Sequence, residues 1–462
     1  MSSPTRAPLP PSSSPIPFVG SLPALRHGLL EAFVSGWRDL GDIVLYRVPR
    51  PMIVFAHPDD VQHFFHDHHD HHPRSWLVRE RLKDIMGEGL FAHDGEAYES
   101  DLRVLLPALE QRRVGDLERI TRQATDEMLA RWDERSEGDE PLNVHAEMQR
   151  LNLDAMGRIL LGDTWDAVGE RMRPALTGVY DYLIPRVTGF PTPLEPLFPW
   201  HRRYRQALAT VDSVLYSAIE ERRREPRDDL LSLFLEGEDP VTGTRMSDRE
   251  ARYQLLTMIF GFYKSIGNVL TWTWYLLSLN ANVRRRLSAE LAENLKGQDP
   301  SIADLSRLPY LEMTLKEVLR LYPPLYIIAR PPKSDEVIGG YHISSEMFCL
   351  FLPYITHRHG DFWENPEGFE PERFSPERSA GRHPYAYFPF ATGPRKCPGE
   401  DFGLTELKLV VATIAQRHSL ELVPGHEVRR HRAEFLLRPI NGLPMNVRPV
   451  DAAGSDSRGV PA

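Results

Sequence analysis

The chain has 462 residues, of which 41% are hydrophobic and 26% are charged, as in a folded globular protein rather than a disordered one. Its formal net charge is −10 and no dense basic block occurs, which argues against a nucleic-acid-binding protein. The only two cysteines, Cys349 and Cys397, exclude a disulfide framework and a CxxC metal site, and they favour a reducing compartment.

The two ends of the chain are predicted to lie outside the folded domain. Residues 1–14 are rich in serine and proline, lack the apolar core of a signal peptide and are expected to be a mobile lead. Residues 451–462 are small and polar and are expected to be a disordered tail. No membrane anchor and a cytoplasmic location are therefore expected.

Helical patterns dominate the rest of the chain, because apolar residues recur at three- and four-residue spacing. The predicted helical stretches are Leu102–Trp132, Val144–Leu161, Tyr204–Arg224, Thr257–Ala281, Asn282–Leu295 and Leu311–Leu321. The stretch from Thr257 is long enough to cross a bilayer, but Lys264 and several other polar side chains make burial inside a large protein the better interpretation.

Strand patterns are fewer. Residues 42–46 and 52–55 flank an Arg-Pro turn and predict a hairpin, and a second strand pair is predicted within 336–352, with its turn at Gly339 and Gly340. No βαβ repeat, GxGxxG loop or GxxxxGK[ST] loop occurs, which argues against dinucleotide and P-loop chemistry. The predicted fold is mainly α, with small peripheral β-sheets.

Six histidines cluster between residues 63 and 72, just before Pro73. Imidazole groups suit zinc, copper and nickel, so a metal site is one interpretation of this cluster. The favoured interpretation is a solvated helix end and loop, because no cysteine accompanies the histidines.

Cys397 lies in the segment FATGPRKCPG, immediately before a predicted helix. Pro398 suits a first helical position, so the sulfur is expected near the positive end of the helix dipole. Arg395 and Lys396 lie beside it, and these features together favour the thiolate. Gly393 and Gly399 allow the backbone to fold tightly around a ligand. A buried, inert cysteine is the alternative.

This segment resembles the haem-binding loop of the cytochrome P450 superfamily, whose pattern FxxGxRxCxG it matches at every fixed position. The resemblance implies a cytochrome P450 fold, a single large α domain over residues 15–450, and haem b as the cofactor. It further implies that Cys397 is the axial ligand of the iron, that Arg395 pairs with a haem propionate, and that Phe390 packs beside the sulfur.

Other segments resemble the family in the expected order. The ExxR pattern of Glu317 and Arg320 alone would be an ordinary ion pair. With the following Tyr-Pro-Pro it resembles the family's K helix, and Arg373 would complete a structural network with both residues. Arg330 matches a second propionate-binding arginine. Residues 268–277 resemble the second half of the family's long I helix.

The oxygen-activation motif departs from the family pattern [AG]-G-x-[DE]-T. Aligned on the I helix, it falls on residues 261–265, where Phe262 replaces a glycine, Lys264 the acid and Ser265 the threonine. In the family the acid and alcohol relay protons, so Ser265 and Lys264 are the candidate catalytic residues. Lys264 either extends to solvent or meets an acceptor, which would be a carboxylate, a backbone carbonyl or an acidic group of the substrate.

A second departure lies in the segment that resembles the C helix. The Trp and Arg of a WxxxR pattern, both propionate donors in the family, are replaced by Tyr98 and Leu102. Tyr98 retains a hydroxyl donor and is a candidate haem-binding residue. Arg103 is one residue out of register and is not expected to reach the haem.

The expected function is monooxygenation of a small organic molecule, with dioxygen and with electrons from a separate ferredoxin- or flavodoxin-type protein that docks near Lys396. Two alternatives remain open. The first is an atypical member that uses peroxide or catalyses coupling, dehydration or isomerisation. The second is a non-catalytic haem-binding sensor or carrier.

Overall fold

The computed structural model describes residues 7–13, 20–21, 25, 28–75, 80, 82–83, 85–112, 115–135, 140–188, 198–430 and 436–450, with backbone only at 111–112 and 184–188. The predicted tail at 451–462 lies outside these residues, as does part of the predicted lead. Residues 8–13 pair with the following sheet: Leu45 N donates to Pro11 O and Ser13 N to Leu45 O. These bonds restrain the described part of the predicted mobile lead.

Helices make up most of the described chain. They are α1 (Leu29–Leu40), α2 (Pro58–Gln62), α3 (Glu96–Arg112), α4 (Gly115–Asp133), α5 (Val144–Leu161), α6 (Thr164–Thr188), α7 (Pro199–Arg224), α8 (Leu230–Glu236), α9 (Asp248–Leu279), α10 (Ala281–Leu295), α11 (Pro309–Leu321), α12 (Pro353–Thr356), α13 (Pro376–Ser379) and α14 (Glu400–Arg417). Of these, α1, α2, α6, α8, α12 and α13 were not predicted. Pro174 interrupts the pattern of α6, and α8 has only seven residues.

Three helices begin five or more residues earlier than the sequence pattern predicts. Helix α9 has a capping box, in which the Ser247 hydroxyl accepts from Glu250 N and the Glu250 carboxylate accepts from Ser247 N. Helix α7 begins at Pro199, a residue that suits the first turn. The predicted stretch Leu102–Trp132 forms two helices, α3 and α4; α3 begins at Glu96, and α4 begins at a glycine.

The strands form three small sheets at the periphery, as predicted. β1 (Ile43–Tyr46), β2 (Met52–Phe55), β7 (Phe348–Phe351) and β4 (Ile328–Ala329) lie in that order, with β2 and β7 parallel. The predicted hairpin pairs Ile43 with Phe55. β5 (Glu336–Ile338) and β6 (Tyr341–Ile343) form the second predicted hairpin. β3 (Leu142–Asn143), β9 (Pro444–Pro449) and β8 (His418–Leu422) form the third sheet.

Helix α9 runs through the main hydrophobic core and packs along α5, with α11 and α14 also in contact with it. Its aromatic side chains Trp272 and Trp274 are both almost fully buried. Among the described residues, no helix is long and apolar enough to cross a membrane. The prediction that the Thr257 stretch is a buried helix is therefore confirmed.

Candidate functional site

The cysteine loop is a tight turn that leads directly into α14. Cys397 N donates to Phe390 O at 2.9 Å, and Lys396 N donates to Gly393 O at 3.0 Å. Gly393 has φ +72°, and a Cβ there would lie 1.9 Å from Phe65 O. Phe390, half-buried, packs against the main core. Gly393 is therefore required both by its backbone conformation and by the close approach of the chain around Phe65.

Electrostatics around the sulfur differ from the prediction. Burial raises the pKa of the Cys397 thiol, and the Gly399 N–H only partly opposes this shift. The neighbouring cations are already paired, because Arg395 Nε lies 2.9 Å from Asp94 and Lys396 Nζ lies 2.5 Å from Glu400. Lys396 and the N–H at the helix start do favour the thiolate, as predicted, but burial outweighs them and the pKa of the thiol is raised overall.

Cys397 has an exposed side chain even though desolvation is the main cause of its raised pKa. The second cysteine, Cys349, is fully buried, and burial raises its pKa well above the usual value. Only Cys397 has the exposure that a ligand to a bound group requires.

Three arginines converge near this loop. Arg330 is almost fully buried, and burial together with the charges of Arg74 and Arg395 lowers its pKa to about 9. Among the groups that mainly shift the pKa of Arg330, Asp94 is the one carboxylate. This carboxylate is already paired with Arg395. The cluster therefore carries an excess of positive charge in a desolvated place, which suits an anionic ligand with more than one carboxylate.

Tyr98 lies beside these arginines. The Arg74 guanidinium lies 4.5 Å from the centre of its ring, and burial raises the pKa of its phenol. The Arg74 guanidinium opposes this shift from nearby, but the buried Tyr98 O–H has no acceptor among the described residues. It is thus an available donor at the edge of the arginine cluster.

Arg74 and Asp94 also belong to this cluster, although no sequence pattern indicated them. Arg74 donates to the carbonyls of Leu90 and His93, and its own backbone N–H donates to the Asp94 carboxylate. Neither residue belongs to a pattern that the sequence analysis recognised. They belong to the cluster because, in the folded chain, their charges lie close enough to shift the pKa of Arg330.

Arg103 is directed away from the cluster, as predicted. Its Nε and Nη2 lie 2.7 and 2.8 Å from the two carboxylate oxygens of Asp239, which is itself buried. This bidentate pair joins α3 to the loop after α8. Leu102, at the family's arginine position, is half-buried against the main core.

The residues of the altered motif lie in the middle of α9. Phe262 packs its ring 5.2 Å from that of Phe402 in α14, and a Cβ at Gly399 would lie 2.5 Å from Phe262 Cζ. The bulky residue at the family's glycine position therefore reaches the end of the cysteine loop. Ser265 is half-buried. At the other end of the motif, a Cβ on Gly261 would lie 3.9 Å from the ring of Phe91.

Lys264 meets an acceptor that the sequence analysis did not consider. Its Nζ donates to Tyr263 Oη at 3.0 Å and lies 4.1 and 5.2 Å from the ring centres of Tyr263 and Tyr180. Tyr263 Oη also lies 3.1 Å from Thr177 Oγ1 of α6. The half-buried ammonium is thus directed to an aromatic and hydroxyl surface, and it forms no ion pair with a described carboxylate.

Helix α5 supports this part of α9 through polar contacts. Asn152 Nδ2 donates to the carbonyls of Phe262 and Tyr263 at 2.8 and 2.7 Å. One turn earlier in α5, Gln149 Nε2 donates to Asn268 Oδ1 at 2.9 Å. These buried contacts fix the position of the motif carbonyls relative to α5.

The predicted charge network is present. Glu317 accepts from Arg320 at 2.7 and 2.8 Å and from Arg373 at 2.9 Å, and all three side chains are buried. Arg320 also donates to the carbonyls of His357, Pro366 and Gly368. The network joins α11 to the segment before the cysteine loop and has a structural role.

The histidine segment is only partly the solvated loop that was favoured. His66, His68 and His71 are exposed, but His72 is fully buried and contacts Glu336. A π-helical turn over His63–Asp67 and a 3₁₀ turn over His69–His71 place these side chains on different faces.

Comparison with a solved structure defines the fold class. The chain superposes on the retinoic acid bound cyanobacterial CYP120A1 with a TM-score of 0.84, over 96% of this chain and 100% of that one, at 23% sequence identity. The cytochrome P450 family pattern matches residues 10–444, and the chain belongs to the cytochrome P450 family.

Relatives of known activity align over most of their length. Cyclooctatin synthase of Streptomyces melanosporofaciens is 29% identical over 92% of this chain and 94% of its own. Cyclooctat-9-en-7-ol 5-monooxygenase of the same organism is 28% identical over 89% of each chain. Human cytochrome P450 4F12 is 28% identical over 87% of this chain and 81% of its own. The chain is accordingly an oxidoreductase of the P450 monooxygenase type with haem iron as its cofactor.

Proposed function

We propose that the chain is a haem b monooxygenase in which Cys397 ligates the iron and Arg330, Arg395 and Tyr98 hold the propionates, with the help of Arg74. The observation that carries this assignment is the arrangement of an accessible cysteine near a desolvated excess of positive charge. The anionic edge of haem would neutralise the arginines, and the Tyr98 hydroxyl would gain its missing partner. Phe390, Gly393 and Gly399 would shape the loop around the sulfur.

The bound haem supplies dioxygen activation with two electrons, and the chain supplies position, protons and the exclusion of water. By resemblance, Ser265 occupies the position of the family's proton-donating threonine, and its hydroxyl can donate and accept hydrogen bonds. Lys264 positions the Tyr263 hydroxyl, or a substrate group in its place, through its ammonium. Asn152 holds the carbonyls of the same turn of α9.

The proposed substrate is a small, largely apolar organic molecule. Phe91 and Leu325 are 44% and 37% exposed although they are large apolar residues, and Phe91 lies next to Gly261 of α9. Family resemblance assigns the pocket to residues 76–91, 179–199, 257–269, 325–329 and 435–437, of which 76–79, 81, 84, 189–197 and 435 lie outside the described residues. A separate ferredoxin- or flavodoxin-type electron donor near Lys396 and a cytoplasmic location belong to the same proposal.

Replacement of Cys397 by serine tests the iron ligand. Cys397→Ser removes the soft thiolate, so the carbon monoxide adduct of the reduced protein should lose its red-shifted Soret band. Cys349→Ala is the matched control and should keep that band, because the Cys349 side chain is fully buried in the hydrophobic cluster around β7 and lacks the exposure that an iron ligand requires. A red-shifted band in Cys397→Ser would assign the iron to another ligand.

Reconstitution tests the reaction. The purified protein with a ferredoxin, a ferredoxin reductase and NADPH should convert compounds that displace the iron-bound water, with one oxygen atom added to the product. Turnover with hydrogen peroxide alone, but not with the reduced partner, would favour the peroxide-dependent alternative, which the altered α9 motif supports. Spectral shifts without any product under both conditions would favour the sensor.

A further inference from the structure

A second cluster of ligating side chains lies outside the haem site. His63, His72 and Glu336 place one ligand atom each within 4.8 Å of one another. His72 Nε2 lies 2.8 Å from Glu336 Oε1, and His63 Nε2 lies 3.8 Å from Glu336 Oε2. His63 and His72 come from two successive turns of the histidine segment, whereas Glu336 comes from β5. The chain fold therefore creates this cluster.

The hydrogen bonds of His72 restrict its protonation. Its Nδ1 lies 2.8 Å from the carbonyl oxygen of His68, and since a carbonyl cannot donate, Nδ1 carries a proton. The Nε2 lone pair of a neutral His72 would then face a carboxylate oxygen at 2.8 Å, and two acceptors at that distance repel. Either a second proton or a cation must lie between Nε2 and Glu336.

The environment of His63 favours the cation. Its Nε2 is buried and lies 3.8 Å from Glu336 Oε2, beyond hydrogen-bond distance. Burial raises the pKa of the Glu336 carboxyl, but His63 and His72 together outweigh it and lower this pKa to about 2. A proton shared between His72 and Glu336 leaves this nitrogen without a partner, whereas a metal ion uses all three donors. The bond from His72 Nδ1 to a backbone carbonyl is also the usual way in which a metal-bound histidine is oriented.

We propose that His63, His72 and Glu336 bind one zinc ion. Two imidazoles and one carboxylate form a ligand set that zinc accepts, with a water in the fourth position, and they do not suit calcium or magnesium. Tetrahedral zinc at about 2.0–2.1 Å from each donor places the donors roughly 3.3 Å apart. The two histidine–carboxylate distances, 2.8 Å to Oε1 and 3.8 Å to Oε2, lie on either side of that value, and all three donors lie within 4.8 Å of one another, so side-chain rotations would bring one carboxylate oxygen between the two imidazoles.

A metal ion at this site would stabilise the segment that holds Arg395. The carbonyls of His69 and His72 both accept from Arg395 Nη1, at 3.0 and 3.1 Å. A zinc ion that joins His72 to β5 holds these carbonyls in place and with them the Arg395 guanidinium. The ion has no part in the oxidation itself, and its role is to position Arg395.

The test uses the full-length, untagged holoprotein after treatment with a chelator. Cobalt(II) is the probe, because its visible absorption bands report tetrahedral nitrogen and oxygen ligands and zinc displaces it. The expected result is one cobalt ion per chain, full displacement by zinc, and a higher melting temperature with zinc than with chelator. His63→Gln and Glu336→Gln should each weaken cobalt binding by roughly tenfold or more.

The matched control is the double variant His66→Gln/His71→Gln, which removes two exposed histidines of the same segment and should bind cobalt like the parent. The carbon monoxide spectrum of every variant checks that the haem domain is folded. The proposal is overturned if the parent binds no cobalt, since the contact between His72 and Glu336 is then a direct hydrogen bond. It is also overturned if the control variant loses the ion while His63→Gln retains it. Both outcomes leave the haem assignment of Cys397 unaffected.

Discussion

Lys264 is the residue at which the chain departs most clearly from the oxygen-activation pattern of its family. Its ammonium contacts the Tyr263 hydroxyl and the faces of two aromatic rings. Both contacts are with neutral groups, so its charge is compensated only in part. An acidic group of a substrate would complete this compensation and would bring a carboxyl group close to the motif.

Exchange of Lys264 for methionine tests this role. Lys264→Met should keep the haem spectrum but weaken the binding of acidic ligands about tenfold or more, because a hydrogen bond to a charged group is lost. Neutral ligands should bind with nearly unchanged affinity, and Lys264→Arg should retain most of the affinity for acids. Spectral titrations measure both classes. Equal affinities of parent and Lys264→Met for all acidic ligands would limit Lys264 to its contacts with Tyr263 and Tyr180.

Single residues differ in how well the sequence predicts them. Cys397, Arg330 and Arg395 occupy positions of a recognisable pattern, and the structure places both arginines in one buried cluster. Arg74 and Asp94 have no such pattern, because their relation to Arg330 arises only when three separate segments meet. The acceptor of Lys264 is its own neighbour Tyr263, but the groups that complete this surface, Thr177 and Tyr180, come from a helix that was not predicted.

Among the elements, α11 depends on one carboxylate. Glu317 is the shared counter-charge of Arg320 and Arg373, and each of the three side chains is at most 3% exposed. Its removal leaves two buried guanidinium groups that repel each other. Such a loss is far more costly than the loss of a surface ion pair.

Glu317→Ala should reduce the free energy of unfolding by about 3–5 kcal/mol, with poor haem retention. Glu312→Ala in the same helix is the control, because Glu312 pairs with Lys316 and Lys408 at a 40% exposed position. Its cost should stay below about 1 kcal/mol. Urea unfolding of both variants measures the difference. Similar unfolding midpoints for the two variants would show that the Glu317 network adds no more than a surface pair.

Helix α14 contains a buried carboxyl that no sequence pattern indicated. Glu406 is 1% exposed, and both of its carboxyl oxygens lack a hydrogen-bond partner among the described residues. Burial raises the pKa of this group from 4.5 to about 8. The folded protein therefore keeps the proton through a pH range in which the unfolded chain releases it.

This shift predicts the direction of a pH effect. An acid with a raised pKa in the folded state loses stability as pH rises from 4.5 to about 8, by about 1.4 kcal/mol per pH unit. Glu406→Gln should remove this dependence, so its melting temperature should exceed that of the parent at pH 8 and match it near pH 5. The exposed Glu421→Gln should follow the parent at both values. A parallel pH profile of parent and Glu406→Gln would refute the assignment.

Whole elements were predicted where the apolar spacing is uninterrupted. Val144–Leu161 coincides with α5, and both predicted hairpins are present. Helix starts were predicted less well, because they depend on caps such as Ser247 that lie outside the apolar stripe. The parallel pairing of β2 with β7 joins segments almost 300 residues apart, and local patterning contains no information about such a contact.

Over the whole molecule, folding and the proposed haem contacts would place opposite demands on the buried arginines. Burial lowers the pKa of Arg330, and Arg74 and Arg395 lower it further, so the haem-free chain bears a cost for each charge. An anionic ligand at this cluster repays that cost. A ligand that binds only the folded state stabilises that state. Arg330 would therefore destabilise the chain without the ligand and stabilise the chain that has bound it.

Arg330→Leu should therefore change the two melting temperatures in opposite directions. The haem-free variant should melt higher than the haem-free parent, because a buried charge and its repulsion are gone, whereas the haem-bound variant should melt lower and release haem faster. Calorimetry of both forms measures the shifts. Arg252→Leu is the control, because Arg252 is equally buried but is paired with Asp212 at 2.6 Å. Its removal leaves an unpaired carboxylate and should destabilise both forms. If Arg330→Leu also lowers both melting temperatures, Arg330 is an ordinary structural residue, and the propionate assignment rests on Arg395 and Tyr98.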